Sequence, residues 1–438
     1  MSAPLWSVGG KSVRPGASDR SPVLVMLGSF AAAAALAILL LLGPAARGSE
    51  PLITGSLLLA FGFGWGLVAL LTARYSAQPQ PWAMAPAILL GSVGLLLIVI
   101  QPGPAAMDGL SWVWPPAVAI LAGWMTVQVR RHLVGRGRWL VVPAVAILLL
   151  LAVGGGIATV SAAIGPGAPG QPGQLIDVNG RQLYIECTGT GSPTVVLQSG
   201  LGESSAYWGV IAPDVAASTT VCVYDRAGHG RSDEAQAPQD GAALAADLHT
   251  LLERAGVAGP YVLAGHSSGG VYVRVFAERY PDEVAGMVLL DAQPADAFSV
   301  LPNYPGFYEN LRTATALGPS LARVGLLGLV LGVPADQSTV ASARGALDEV
   351  VALPDALEQA HALTSLGARP LVVVSAGTGQ QVGWAEAQDR LPALSTNSAH
   401  RELASATHTS LITGVDAGVS TQAILDVVAA VRAGTPLR

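Results

Sequence analysis

A serine near the middle of the chain lies in a sequence context that suits nucleophilic chemistry. Residues 263–270 are Leu-Ala-Gly-His-Ser-Ser-Gly-Gly, in which an apolar strand pattern leads directly into G-x-S-x-G and a helical pattern follows. A tight strand-to-helix turn leaves no room for side chains beside the serine, which explains why Gly265 and Gly269 flank it. Such a turn would lift the hydroxyl of Ser267 to the carboxyl edge of a sheet, from which it can attack a carbonyl carbon.

The segments around this serine alternate between strand and helix patterns from residue 174 onward. Helical periodicity predicts helices at 242–255 and 271–280, and short apolar runs predict strands. The predicted strands are 175–178, 182–187, 194–198, 220–224, 261–264, 285–290 and 370–375. This alternation predicts an α/β domain with a mainly parallel sheet and helices on both of its faces.

Four motifs make residues 174–438 resemble the α/β-hydrolase superfamily. In chain order they are 199–202 (Ser-Gly-Leu-Gly), 225–233 (Asp-Arg-Ala-Gly-His-Gly-Arg-Ser-Asp), the serine turn and 407–409 (Thr-His-Thr). The resemblance implies the α/β-hydrolase fold, with His408 as the base that takes the proton of Ser267. It also implies an oxyanion hole formed by the backbone amides of Leu201 and Ser268.

The acid that would orient His408 is assigned to Asp291. Many members of the superfamily carry this acid in the turn after the seventh strand, but here the turn 376–382 contains no carboxylate. Asp291 ends the sixth predicted strand, a position that some members use, and the order Ser267, Asp291, His408 is the one expected for this fold. The alternatives are Glu386 and Asp389 as the acid, or Asp291 as a cap of the following segment.

The remaining histidines are less suited to act as the base. His229 lies in the Gly-rich loop and His266 is the variable residue of the serine turn, so both are expected to be structural or to support the site. His361 and His400 are expected at surface or strand positions. Asp225 is expected to be a structural residue of its loop.

Residues 292–360 lie where the superfamily inserts a cap over its active site. The segment contains Tyr304, Phe307 and Tyr308, followed by the apolar run Leu-Leu-Gly-Leu-Val-Leu at 326–331. This composition favours a hydrophobic acyl or alcohol group in the substrate, or contact with a bilayer. Packing within the cap itself explains the same residues equally well.

The first part of the chain has the composition of a membrane domain. Apolar residues make up 51% of the sequence and charged residues 12%, and the apolar excess is concentrated in residues 22–164. Five candidate spans follow a tail at 1–21 and precede a Gly/Pro-rich linker at 165–173; they are 22–43, 51–73, 82–101, 110–129 and 139–164. None has an ionisable residue in its interior, which favours an anchor over a transporter.

The distribution of cations predicts the orientation of these spans. One side carries Lys11, Arg14, Arg20, Arg74, Arg130, Arg131, Arg136 and Arg138, and the other carries Arg47. The positive-inside rule then predicts a multi-pass protein of the cell membrane, with its N-terminus in the cytoplasm and the C-terminal domain outside. Removal of the first span as a signal peptide would leave the C-terminal domain outside as well.

Cys187 and Cys222 are the two cysteines of the chain. They lie on the second and fourth predicted strands, which are neighbours in the fold that the domain resembles. Together with an oxidising compartment, this predicts a disulfide, the alternative being two buried thiols. No Cys/His spacing indicates a metal site, no cofactor is expected, and a net charge of −6 without a basic stripe argues against nucleic acid.

The combined prediction is a membrane-anchored serine hydrolase that cleaves a carboxylic ester through an acyl-enzyme. The expected substrate is a hydrophobic small molecule or a lipid ester, with thioesters included. The alternatives are an acyltransferase or peptidase with the same triad, and a binding protein that keeps the fold without catalysis. A transporter with an attached domain is a third alternative. Epoxide hydrolases and dehalogenases are disfavoured because their relatives have Asp where this chain has Ser267. The sequence leaves the oligomeric state open.

Overall fold

The structure is a computed structural model that describes residues 22–43, 49–76, 78–133, 137–164, 172–235 and 237–437. The chain divides into two compact units, Met1–Gly156 and Ile157–Arg438. The predicted tail at 1–21, most of the predicted linker at 165–173, and the cations Arg47 and Arg136 lie outside the described residues.

The N-terminal unit is helical. Its elements are α1 (Pro22–Leu42), α2 (Glu50–Tyr75), α3 (Met84–Ile100), α4 (Pro104–Leu110), α5 (Trp114–His132) and α6 (Gly137–Ile164), with α6 continuing past the boundary between the units. Within the described residues, four helices are long and apolar enough to cross a membrane, or five if the bent pair α4 and α5 is counted as one span.

The predicted fourth span, 110–129, is divided in the structure. Helix α5 begins at Trp114 and lies at 41° to α4 across a short break. Pro115 and Pro116 therefore occupy the first turn of α5. The backbone N–H groups of a first turn have no acceptor within the helix, so a proline there loses no hydrogen bond. The prolines explain why this helix begins at Trp114. The apolar pattern alone predicts a start at residue 110, four residues too early.

Helices α2 and α3 approach closely because glycines face each other across their contact. A Cβ atom added to Gly62 would lie 2.6 Å from the backbone nitrogen of Gly91, and one added to Gly94 would lie 2.6 Å from that of Leu59. Small residues permit this backbone approach, which is a common way for apolar helices to pack without a polar contact.

The C-terminal unit contains an eight-stranded sheet in its described part. The strands are β1 (Gln174–Val178), β2 (Arg181–Thr188), β3 (Val195–Gln198), β4 (Val221–Tyr224), β5 (Tyr261–His266), β6 (Val284–Leu290), β7 (Leu371–Thr378) and β8 (Ser398–Thr407). Their order is β1-β2-β4-β3-β5-β6-β7-β8; β2 pairs antiparallel with β1 and β4, and all the other pairs are parallel.

The helices of this unit connect the strands and cover both faces of the sheet. They are α7 (Ile211–Ala216), α8 (Gly241–Arg254), α9 (Gly269–Arg279), α10 (Ala297–Val300), α11 (Tyr304–Ala316), α12 (Gly318–Arg323), α13 (Leu327–Leu331), α14 (Val340–His361), α15 (Trp384–Gln388), α16 (Ser410–Thr413) and α17 (Ala417–Ala433). Helices α10 to α13 fill the predicted cap segment. Helix α14 ends this segment and packs against α11 and α12 as well as against α8 and α9.

Alternate residues of each central strand enter two different cores. In β6, Met287 and Leu289 belong to the core under α8, α9 and α14, whereas Val288 and Leu290 belong to the core under α7 and α17. Because both faces are covered, the central strands β3 to β7 are mostly apolar, as is typical of parallel sheets. The fold predicted from the sequence is confirmed.

The seven predicted strands are all present, but β8 was not predicted. Its sequence, Ser-Ala-His-Arg-Glu-Leu-Ala-Ser-Ala-Thr, is mostly polar, and most of its side chains are partly or fully exposed. β8 is the last strand of the sheet and pairs with β7 alone. An edge strand of this kind has no apolar run that sequence analysis can detect.

The predicted disulfide is present. Cys187 and Cys222 lie directly opposite each other in the antiparallel pair β2–β4, with their Cα atoms 4.0 Å apart, and their sulfurs are bonded. The bond closes a loop of 35 residues that includes β3 and α7. It therefore ties the antiparallel edge of the sheet to its parallel centre.

Reduction of this disulfide is expected to destabilise the C-terminal unit by about 3–4 kcal/mol, because it frees a loop of this length in the unfolded chain. The measurement is the thermal unfolding of the full chain in detergent, with and without dithiothreitol. In a Cys187→Ala/Cys222→Ala double variant the midpoint is expected to be lower and insensitive to the reductant. A midpoint in the native protein that does not respond to complete reduction would contradict this expectation.

Candidate active site

Ser267 occupies the turn between β5 and α9. Its φ of +55° lies in the left-handed region, which a non-glycine residue adopts only when its surroundings hold it there. Three backbone hydrogen bonds do so. The amide of Ser267 donates to the carbonyl of Leu290 at 3.1 Å, and the carbonyl of Ser267 accepts from the amides of Gly270 and Gln293 at 3.0 and 2.9 Å. The serine remains partly exposed to solvent.

The glycines beside the serine are required by the close approach of other backbone segments. A Cβ atom on Gly265 would lie 2.5 Å from the carbonyl oxygen of Gly269, and one on Gly269 would lie 2.3 Å from that of Gln198. Both distances are shorter than any tolerable contact, so a side chain at either position would force the turn open. The structure thus has the strand–turn–helix geometry that the motif predicts.

His408 lies directly after β8 and contacts Asp291. Its Nδ1 atom is 2.5 Å from Oδ2 of Asp291, which follows β6. The aspartate is fully buried, whereas 36% of the histidine side chain is exposed. A carboxylate in this position holds the imidazole with Nδ1 protonated, which leaves Nε2 free to accept a proton. Of the two alternative acids, Glu386 is exposed and Asp389 lies 3.3 Å from His400 instead.

Asp291 accepts further hydrogen bonds from the end of β7 and from the residues that follow it. Gln380 Nε2 donates to Oδ2 at 2.6 Å, Trp384 Nε1 donates to Oδ1 at 2.9 Å, and the amide of Ala376 donates to Oδ1 at 3.3 Å. The ring of Trp384 also meets the ring of His408 edge-on, with 6.3 Å between centroids. Sequence analysis missed Gln380 and Trp384, because it searched the turn after β7 for a carboxylate and not for donors to one.

These contacts keep Asp291 ionised. Burial alone would raise the pKa of its carboxyl group, but the hydrogen bond and charge of His408, together with the donors Trp384 and Ala376, lower this pKa below its usual value. The carboxylate therefore stays charged wherever the protein is folded near neutral pH. A permanently charged partner is what a histidine needs if it is to become a cation during a reaction.

Two backbone amides beside Ser267 are free to bind an oxyanion. The loop 199–202 follows β3, and a Cβ atom on Gly200 would lie 3.1 Å from Cβ of Ser267. The amides of Gly200 and Gly202 are occupied, since they donate to the carboxylates of Glu203 and Glu349 at 2.7 and 2.9 Å. Within the described part of the chain, the amides of Leu201 and Ser268 donate no hydrogen bond to a protein group. Free amides next to a nucleophile are the requirement for an oxyanion hole.

His266 supports the loop that carries His408. It is completely buried, and its Nε2 atom lies 3.0 Å from the carbonyl oxygen of His408, so this nitrogen donates. The two imidazole rings are 4.5 Å apart at their centroids, and Nδ1 of His266 is 3.4 Å from Oε2 of Glu203. The histidine of the serine turn thus fixes the backbone of His408, as expected of a supporting residue.

A buried ion cluster of Arg226, His229 and Glu349 lies against the loop 199–202, which is called the oxyanion loop below. Glu349 of α14 accepts from Arg226 Nε at 2.5 Å and lies 3.0 Å from Nε2 of His229. Burial would raise the pKa of Glu349, but the charges of Arg226 and His229 lower it far below its usual range. Asp225 accepts from the amides of Ser205 and Arg231 at 2.6 and 3.0 Å, which is the structural role expected for it.

A second set of serine, histidine and aspartate lies between β7 and β8. Ser375 Oγ is 2.8 Å from His400 Nε2, and His400 Nδ1 is 3.3 Å from Asp389. Ser375, however, is 4% exposed and lies in the regular part of β7, not in a strand-to-helix turn. This set therefore has the side chains of a triad, but its serine is buried while Asp389 is exposed and His400 is partly exposed. Among the described residues, no group of three or more His, Cys, Asp or Glu could hold a metal ion.

A family model described as alpha/beta hydrolase fold matches residues 193–325. Among solved structures, the haloalkane dehalogenase DbeA-M1 loop variant from Bradyrhizobium elkanii is 18% identical and aligns over 60% of this chain and 97% of that protein, with a TM-score of 0.50. A mutant of DBJA is 19% identical over 60% of this chain and 100% of that protein, also with a TM-score of 0.50. At this level of identity, the likeness concerns the fold alone.

Curated relatives match shorter parts of the chain. The uncharacterized protein C23C11.06c of Schizosaccharomyces pombe is 35% identical over 29% of this chain and 29% of its own length. The uncharacterized protein YqjL of Bacillus subtilis is 33% identical over 26% of this chain and 46% of its own length. The AB hydrolase superfamily protein of Gibberella zeae is 29% identical over 27% of this chain and 41% of its own length.

The chain thus spans less than half the length of each of these relatives. The family match, the strand order and the serine turn all fall in the C-terminal unit. The C-terminal unit therefore has the α/β-hydrolase fold, to which the matching family model and the similar solved structures also point.

Replacement of Gln380 by Leu is expected to slow the reaction of Ser267 with a fluorophosphonate about tenfold to a hundredfold, because a hydrogen bond to a charged group contributes about 1.5–3 kcal/mol. The neighbouring Gln381→Leu is the matched control, since Gln381 makes no contact with Asp291 in the described structure. The measurement is the second-order labelling rate of each folded variant. Equal rates for the two variants would exclude an orienting role for Gln380.

The charge of the Asp348 carboxylate is expected to lower the free energy of unfolding at neutral pH. Burial and the neighbouring carboxylate of Glu234 raise the pKa of Asp348 to about 6. Its unfolded pKa is about 3.9. The folded state therefore favours the protonated form, and stability is lost as the pH rises from about 4 to 6, by on the order of 1 kcal/mol since the side chain is partly exposed.

Asp348→Asn should accordingly raise the midpoint of thermal unfolding at pH 8 and leave it unchanged near pH 4. Asp282→Asn, which changes the same charge at an exposed position, is the control for net charge. The comparison uses the full chain in detergent at both pH values. An increase in the unfolding midpoint of equal size at both pH values would assign the effect to packing and not to the charge.

Proposed function

We propose that the protein is a membrane-anchored serine hydrolase that cleaves a carboxylic ester through an acyl-enzyme intermediate. The observation that carries this proposal is the contact between Asp291 and His408 at 2.5 Å, beside a serine that a left-handed turn presents at the edge of the sheet. In this proposal, Ser267 is the nucleophile, His408 the general base and acid, and Asp291 the group that orients His408.

Acylation begins when Oγ of Ser267 attacks the ester carbonyl carbon and its proton passes to Nε2 of His408. The carbonyl oxygen becomes an oxyanion and accepts hydrogen bonds from the amides of Leu201 and Ser268. Asp291 stabilises the imidazolium, with the proton on Nδ1 remaining between the two side chains. The tetrahedral intermediate then expels the alcohol, which takes the proton from Nε2 as the carbon–oxygen bond breaks.

Deacylation repeats these steps with water as the nucleophile. His408 removes a proton from the water as its oxygen attacks the acyl carbon, and the same two amides bind the new oxyanion. The bond to Ser267 then breaks, the serine regains its proton from His408, and the carboxylic acid leaves. Ester hydrolysis requires no other group, so the proposal needs neither a metal nor a cofactor.

A hydrophobic substrate is proposed from the cap. Large apolar side chains of the cap segment are exposed, namely Phe298, Phe307, Leu329 and Val330. Exposed apolar groups of this kind favour an apolar ligand or a lipid surface. Together with the apolar helices of the N-terminal unit, they support a lipid ester or another hydrophobic ester as the substrate.

The proposed location is the cell membrane, with the N-terminus in the cytoplasm and the hydrolase domain outside. Four to five helices of sufficient length and apolarity support the membrane anchor. Arg130 and Arg131 in the last turn of α5 agree with the positive-inside rule for this orientation. The disulfide supports an oxidising compartment for the C-terminal unit.

The proposal is tested by labelling membranes that contain the full chain with a fluorescent fluorophosphonate. Wild type should be labelled, whereas Ser267→Ala and His408→Ala should not. Ser375→Ala is the matched control, because this serine also contacts a histidine yet is expected to be unreactive. For turnover of p-nitrophenyl esters, the expected losses are about 10⁶-fold for Ser267→Ala and about 10⁴-fold for Asp291→Asn.

The outcomes separate the candidate functions. Faster turnover of medium- and long-chain esters than of acetate would support the hydrophobic substrate. Preferential cleavage of anilides, or transfer to an added alcohol or amine, would replace ester hydrolysis by peptidase or acyltransferase activity. A folded wild-type protein that is neither labelled nor active would favour a binding protein that lacks catalysis.

A further inference from the structure

The buried ion cluster behind the oxyanion loop makes three hydrogen bonds with the backbone of that loop. Arg226 lies two residues after the end of β4 and is 3% exposed. Its Nη1 atom donates to the carbonyl of Ser199 at 2.8 Å, and its Nη2 atom donates to the carbonyl of Gly200 at 2.7 Å. Its remaining donor, Nε, binds Glu349. One guanidinium therefore holds two successive carbonyls of the loop and a carboxylate of α14.

Glu349 holds the same loop from the other end. It is 6% exposed, and both of its oxygens are occupied. Oε1 binds Arg226 and lies close to His229, while Oε2 accepts from the amide of Gly202 at 2.9 Å. The carboxylate thus joins the far end of the loop to the arginine that holds its beginning.

These contacts, together with the amide of Glu203, which donates to the carbonyl of Gly200 at 3.2 Å, determine the direction of the Leu201 amide. The carbonyl of Gly200 and the N–H of Leu201 belong to the same peptide plane, and in a trans peptide they point in opposite directions. When Nη2 of Arg226 binds the carbonyl of Gly200, the N–H of Leu201 must point away from the arginine. Gly200 lies against Ser267, so the plane that Arg226 fixes is the one beside the nucleophile.

We infer that Arg226 and Glu349 are positioning residues that fix this peptide plane and so aim the Leu201 amide at the oxyanion. The inference rests on the proposed function, because an oxyanion forms only if Ser267 attacks a carbonyl. The guanidinium has a second effect: a cation at the carbonyl end of a peptide polarises it and strengthens the hydrogen bond that its N–H donates.

Glu349 also links the oxyanion loop to the cap. It lies on α14, which packs against cap helices α11 and α12 on one side and against α8 and α9 on the other. A displacement of α14 would pull Glu349 away from Gly202 and Arg226. The direction of the Leu201 N–H therefore depends on the position of α14, the helix that ends the cap segment.

A purely structural role for the ion pair predicts different behaviour, which makes the inference testable. Replacement of a buried ion pair by apolar residues is often neutral or stabilising, whereas removal of one partner leaves a buried charge. Arg226→Met/Glu349→Leu can therefore fold while the carbonyl of Gly200 loses the charged donor and keeps the weaker backbone donor, the amide of Glu203 at 3.2 Å. Arg226→Lys keeps the charge but loses the forked geometry that binds both carbonyls at once.

The experiment measures kcat and KM for a p-nitrophenyl ester, the inhibition constant of a phenylboronic acid, and the thermal midpoint of the full chain. Arg226→Lys and the double variant should lower kcat about 10- to 100-fold with little change in KM, since complete loss of an oxyanion donor costs about 10²–10³. Boronic acid affinity should fall by a similar factor, because its tetrahedral adduct with serine uses the same amides.

The ion pair between Arg181 and Asp247, with contacts of 2.7 and 3.0 Å, provides the matched control, as it joins β2 to α8 without contacting the oxyanion loop. Arg181→Lys should leave kcat and boronic acid affinity unchanged. Folded Arg226 and Glu349 variants with wild-type kcat and inhibitor affinity would overturn the inference while leaving the hydrolase proposal intact. Equal losses in the Arg181 variant would reduce the effect to general destabilisation, and an inactive wild type would instead refute the hydrolase itself.

Discussion

The arrangement of the site depends on a single buried charge, the carboxylate of Asp291. A carboxylate without solvent is tolerated only if its oxygens are hydrogen-bonded and a cationic or polar partner is at hand. Here the donors come from the end of β7, from the turn that follows it, and from the histidine after β8. Two segments that are distant in sequence, residues 376–384 and the residues after β8, must therefore meet at the end of β6, and this requirement restricts where His408 can lie.

The groups on the two sides of Ser267, His408 and the oxyanion loop, are each positioned by a buried charge. On one side, a buried carboxylate orients an imidazole by its Nδ1 atom. On the other, the buried carboxylate of Glu349 and the guanidinium of Arg226 hold the backbone of the oxyanion loop. In each case, a charge that is costly to bury is compensated by contacts that also restrict the conformation of a neighbouring group. The first case restricts a side chain, and the second restricts a peptide plane.

The sequence predicts those features that depend on local pattern. The serine turn, seven strands and the order of the motifs follow from apolar runs and glycine positions, and the disulfide follows from the neighbouring strands of the fold. What the sequence could not predict depends on tertiary contact or on polar composition. Gln380 and Glu349 contact the site across 89 and 147 residues, and no local pattern marks them. β8 lacks an apolar run because it is an edge strand, and the start of α5 depends on the geometry of two prolines.

The set formed by Ser375, His400 and Asp389 shows what makes a serine reactive. Its side chains match the proposed triad in type, and two of the contacts have hydrogen-bonding distances. The two sets therefore share their residue types. They differ in the main chain: Ser267 has a left-handed conformation, free amides beside it and an open face, and Ser375 lies within a regular strand. Under the proposed function, the reactivity of Ser267 is thus a property of backbone shape, and substitution of side chains alone could not transfer it to Ser375.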